Sequence, residues 1–181
     1  LKNQEISSIE EQKSEPNSLA GIEFSRALHT YAKDDPRYTP TLDENIAMVK
    51  AVKLDDIIKF HKEFYGSTDA TASVVGDFTK AEIEKMMLET FGAWKAKKPY
   101  KRIASTYQAT KAQEKVINTP DKANSLYLAG FTVEMKDSDP DYAAMLLANY
   151  MMGGGFLNSR LATRIRQKEG LSYGVGSQFS A

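Results

Sequence analysis

The residues whose types and spacing suit chemistry lie together in "NYMMGGGFLNSRLATRIRQKEGLSYGVGS", positions 149–177. Arg166 carries a planar fork of N–H donors suited to a carboxylate or carbonyl. Tyr173 carries a phenol able to donate to a developing oxyanion. A short helix followed by a strand brings the two groups to one edge, where they support a reaction without initiating it. Pattern leaves bland readings open beside this one. Tyr173 shares a strand face with Leu171, Val175 and Phe179 and is equally a core tyrosine, and "SRLATRIRQKE" taken alone is a solvated basic helix.

Other constellations are weaker. Gly153, Gly154 and Gly155 follow a helix, and no lysine with serine or threonine completes a phosphate loop, so they read as a helix terminator. Asn158 reads as the cap of the basic helix and Gly170 as its end. His29 and His61 lie far apart, without a second histidine one helical turn away, and His61 reads as a half-buried, hydrogen-bonded side chain rather than a zinc ligand. "DSDPD" at 137–141 starts like a calcium loop, but Tyr142 and Ala148 stand where glycine and glutamate are required, so Asp139 is read as a helix cap. No metal site is expected.

The elements that must position these residues follow from periodicity and punctuation. Residues 1–13 read as a polar helix, and Leu19, Ile22, Phe24 and Leu28 mark a second one after Pro16. "TLDE" and "TKAE", beginning at Thr41 and Thr79, are capping boxes that open amphipathic helices. Leu54, Ile57, Ile58, His61, Phe64 and Tyr65 repeat at helical spacing. Small and β-branched residues suggest a strand over 69–76, followed by a helix over 79–91. "KVINTP" and "NSLYLAGF" suggest two more strands, and a helix over 140–152 carries Tyr142, Met145, Leu146 and Tyr150 inward. Between about Lys95 and Lys115 the sequence turns basic and loses its period, which places a linker at 99–114. The expected organisation is therefore one subdomain over 1–98 and the start of another over 115–181. The expected class is α+β, with α/β-roll subdomains built on an antiparallel or mixed sheet with packed helices.

Composition excludes several functions. Lysine plus arginine equals aspartate plus glutamate at 24 each in 181 residues, so no net charge draws a nucleic acid or an anionic membrane to the surface. No apolar run is long enough to span a bilayer. With no cysteine there is no disulfide, thiolate metal site or cysteine nucleophile. The chain opens inside a charged helical pattern and stops inside an apparent strand, which reads as a piece of a longer protein.

The order of the pieces resembles the second half of the pitrilysin and insulinase-like zinc metallopeptidases. The resemblance rests on "IIKFHKEFYGSTDATASVVGDFTKAEIEKMMLETFGAW" (57–94), "NSLYLAGF" (124–131) and "LLANYMMGGGFLNSRLATRIRQKEGLSYGVGS" (146–177). Weaker support comes from "ALHTYAKDDPRYTPTLDE" (27–44). The resemblance implies paired halves that close around an extended peptide. Zinc is held by an H-x-x-E-H helix in the catalytic half, and this chain has no such motif. It further implies that Arg166 and Tyr173 act across the chamber on the substrate beside that zinc, that Gly154, Gly155, Asn158 and Ser159 line the peptide site, and that the chain itself carries no cofactor. The implied partners are the catalytic half and an extended peptide, and the implied location is the periplasm. A second reading within the same superfamily is a scaffold whose halves have both lost zinc and which only organises protein partners.

Overall fold

The computed structural model describes residues 1–181. Its elements are α1 (Lys2–Gln12), α2 (Pro16–Leu28), α3 (Leu42–Ala51), α4 (Leu54–Phe64), α5 (Lys80–Phe91) and α6 (Tyr142–Asn149). A π-helical turn (Tyr150–Gly154), a 3-10 turn (Phe156–Asn158) and a second π-helical segment (Ala162–Lys168) follow. No β-strand is present, so the expected α+β class with an antiparallel or mixed sheet is corrected to an all-helical one. The runs expected as strands, 69–76, 115–119, 124–131 and 171–179, are irregular and share no ladder. A strand exists only where its N–H and C=O groups bond a neighbour. β-branched composition reports a fit to a pleated, half-buried surface and does not supply that neighbour. Val75, Val116 and Tyr127 accordingly stand 98%, 77% and 87% exposed, with no layer over them.

The chain divides into two units: Leu1–Thr106 with Lys111–Gly130, and Tyr107–Thr110 with Phe131–Ala181. In the first unit, helical spacing aligns Ile6 and Ile9 of α1, Leu19 and Ile22 of α2, and Leu42, Ile46 and Val49 of α3 into one apolar cluster. Lys2 at the start of α1 donates from Nζ to the carbonyls of Lys50 and Val52, both at 2.7 Å, satisfying the last turn of α3. Both capping boxes form. Thr41 Oγ1 accepts from the Glu44 N–H (3.2 Å) while Glu44 Oε2 accepts from the Thr41 N–H (2.9 Å), and Thr79 and Glu82 repeat the exchange at α5.

The proline-rich connection between α2 and α3 is held by charge. Arg37 grips Asp35 through Nε (2.8 Å) and Nη2 (2.6 Å), donates to the Ala104 carbonyl at 2.6 Å, and lies 4.3 Å above the Tyr31 ring. Lys33 pairs with Glu44, which also accepts from the Tyr38 hydroxyl at 2.8 Å.

Farther along this unit, His61 is exposed rather than half-buried. Its ring stacks between Tyr65 (5.0 Å) and Trp94 (5.8 Å), and it makes no hydrogen bond. The face of α4 expected to turn inward is uncovered, with Leu54 70% and Ile57 57% exposed.

The second unit contains the chemistry-bearing segment. Its helix starts at Tyr142, two residues later than Pro140, and the Asp139 carboxylate, rather than capping it, accepts from the Lys136 N–H (2.6 Å) in the turn ahead of it. Tyr142 packs near Phe179, ring centroids 6.1 Å apart, and with Met145 is half-buried, while Leu146 and Tyr150 remain exposed. After Asn149 the α-helix widens into π-helical hydrogen bonding, ending when the Gly155 N–H donates to the Tyr150 carbonyl at 2.7 Å.

Candidate functional site

The three glycines differ in what they do. A side chain at Gly153 would sit 2.4 Å from the Ser177 nitrogen and 2.8 Å from the Gly176 carbonyl carbon, so this glycine lets the 176–177 backbone lie directly on the π turn. Ser177 donates to Asn149 Oδ1 at 2.8 Å and secures the approach. The same added atom would meet the Asn149 amide nitrogen (3.0 Å) and carbonyl oxygen (3.3 Å) at Gly154, and the Tyr150 carbonyl oxygen at Gly155 (2.8 Å). Asn149 and Ser177 thus join the site. Sequence reasoning missed them, since neither lies in a chemical pattern and the sole trace is the spacing of two glycine-bearing segments.

The cap of the basic helix is Ser159, not Asn158. The Ser159 hydroxyl donates to the Phe156 carbonyl (2.8 Å) and accepts from the Ala162 N–H (3.2 Å), and the residue is completely buried. Phe156 just before it holds φ at +51°, a left-handed conformation uncommon for a bulky side chain. Asn158 is exposed, and Gln167 donates from Nε2 to the Leu157 carbonyl at 2.8 Å, tying the helix back to the 3-10 turn.

Arg166 and Tyr173 do meet. From Ala162 to Lys168 the backbone is π-helical, with the Glu169 N–H donating to the Arg164 carbonyl at 3.1 Å. Gly170, at φ +64°, then turns the chain back, which a side chain there would oppose, and the Leu171 N–H reaches the Ile165 carbonyl at 3.0 Å. This return places the Arg166 guanidinium carbon 4.2 Å above the centre of the Tyr173 ring. A cation over an aromatic face is attracted by the ring quadrupole, worth about 0.5–1 kcal/mol at an exposed site. The contact uses the face of the ring and leaves the phenol hydroxyl unengaged. Neither side chain makes a hydrogen bond or ion pair within the chain, and Tyr173 is 84% exposed. Chemically the pair offers two kinds of donor and no base, nucleophile or metal ligand. No group of three or more histidines, aspartates and glutamates in the structure is arranged to hold a metal ion, and no helix is long and apolar enough to cross a membrane.

With that geometry in view, comparison with known proteins gives the class. The family model described as the peptidase M16 inactive domain matches residues 51–181, and the chain belongs to this family, as a pitrilysin-like non-catalytic half. Among solved structures, a peptidase M16 inactive domain from Pseudomonas fluorescens is 26% identical and superposes with a TM-score of 0.73. The match covers 99% of this chain but only 42% of that one, so the chain spans about two fifths of the length of its solved relative. No curated protein matches the chain.

Proposed function

We propose that this chain is the zinc-free half of a bacterial zinc metallopeptidase and forms part of the chamber that holds an extended peptide. Arg166 and Tyr173 supply donors to the substrate carbonyl beside the zinc of the catalytic half. Gly154, Gly155 and Asn158 border the same segment, and the buried Ser159 shapes it by capping the helix. The observation that carries the reading is the contact between Arg166 and Tyr173 in a chain of the inactive-domain family, with both sets of donors left free. Donors aimed at the position where charge develops in a transition state stabilise it without reorganising, and a guanidinium braced on a ring is already oriented. The partner in this reading is the catalytic half, the ligand is an unfolded peptide, and the compartment is the periplasm.

The test is hydrolysis of a quenched fluorescent peptide, with metal analysis, on this chain alone and with the catalytic half of its parent restored. Activity and bound zinc that arise only in the restored protein support the reading. No activity and no zinc in either sample would overturn it in favour of a scaffold that organises protein partners.

A further inference from the structure

On the basic helix, a recess of about 260 Å³ is framed by Asn158, Arg160, Thr163, Arg164 and Lys168. Residues 160, 164 and 168 follow one another at about one helical turn, so three cations converge on one opening. Only Arg164 has a carboxylate partner, Glu169 at 2.8 Å, while Arg160 and Lys168 have none. The opening therefore carries two uncompensated positive charges, beside an amide at Asn158 and a hydroxyl at Thr163 that add neutral donors. We infer that this recess binds acidic side chains of a peptide, giving the module a preference for acidic peptide segments. The inference rests on the peptide-chamber reading above and specifies the substrate class that the same segment selects.

A carboxylate is the chemistry that fits. Arginine forks match its geometry, and charge-assisted bonds to it are stronger than neutral ones. A nucleic acid needs a broad positive field along its length, whereas this chain has a formal net charge of zero and the recess is one small opening.

The experiment measures binding of the full chain, by fluorescence anisotropy, to a labelled unstructured peptide bearing several glutamates and to its glutamine twin, with single-stranded DNA as a third probe. The glutamate peptide should bind about tenfold more tightly at low salt, the scale of two exposed charge contacts, and the margin should shrink as salt is added. Arg160→Gln with Lys168→Gln should abolish the margin. Arg160→Lys with Lys168→Arg should keep it, which separates lost charge from lost folding. Equal binding of the two peptides would overturn the inference and leave the peptide-chamber reading standing. DNA binding as tight as the acidic peptide would overturn the choice of ligand. Binding of neither peptide would likewise overturn the inference, while the chamber reading is judged by the restored protein's activity.

Discussion

At the scale of single residues, the proposed role of Arg166 rests on its shape as much as on its charge, with the guanidinium carbon 4.2 Å from the centre of the Tyr173 ring. In the two-half enzyme proposed above, Arg166→Ala or Tyr173→Phe is expected to lower kcat by roughly 10²-fold, the scale of one oxyanion-type donor. Arg166→Lys should recover little, since lysine keeps the charge and loses the fork. Unchanged steady-state kinetics in these variants would remove the proposed role. A second prediction belongs to Glu44. The Lys33 ammonium, then the Thr41 N–H and the Tyr38 hydroxyl, hold its carboxyl down from 4.5 to about 2, and Arg37 does the same for Asp35, from 3.8 to about 2. A carboxylate whose folded pKa is depressed adds stability that is complete above its unfolded value and is lost as pH falls through the folded one. The thermal midpoint should therefore drop between about pH 4.5 and pH 2, and Glu44→Gln should flatten part of that drop. Melting curves followed by circular dichroism across this range decide it.

At the scale of elements, Gly153→Ala should destabilise the second unit by about 1–3 kcal/mol, because the new methyl meets backbone that cannot step aside. Gly154→Ala meets the Asn149 amide nitrogen at 3.0 Å and the Asn149 carbonyl oxygen at 3.3 Å, looser approaches than those at Gly153, and should cost less. Denaturant titration of the two variants compares them directly. The same scale explains what the sequence could and could not disclose. Both capping boxes were legible because their bonds join residues three apart, and the shares of α2 and α3 in the core were legible because their spacing is helical, whereas Ile6 and Ile9 were passed over in a helix read as polar. The strands were misread because a strand depends on a neighbour elsewhere in the chain, which composition cannot supply. The π-helical segments were invisible, since no residue pattern separates their longer hydrogen-bond step from that of an α-helix. The meeting of Arg166 and Tyr173 was expected from a short helix and a following strand, and it occurs without the strand, through the turn at Gly170. The move of the cap from Asn158 to Ser159 was not, as both residues are good caps.

At the scale of the whole molecule, the surface exceeds what folding alone would leave. The accessible area is 15129 Å², whereas a compact chain of this mass would expose roughly 8,800 Å². Among the large apolar side chains left open are Leu54, Leu88, Tyr127 and Phe131. The isolated chain should therefore bind a dye such as ANS strongly, and dye binding should fall when the catalytic half is restored. Weak ANS fluorescence from the chain alone would contradict the exposure described. The His61 and Trp94 stack has a spectroscopic consequence. Trp94 is the single tryptophan of the chain and lies in the first unit. Intrinsic tryptophan emission is thus a one-sided reporter that tracks the helical half around His61, while the segment bearing Arg166 and Tyr173 unfolds in the dark unless a second fluorophore is introduced there.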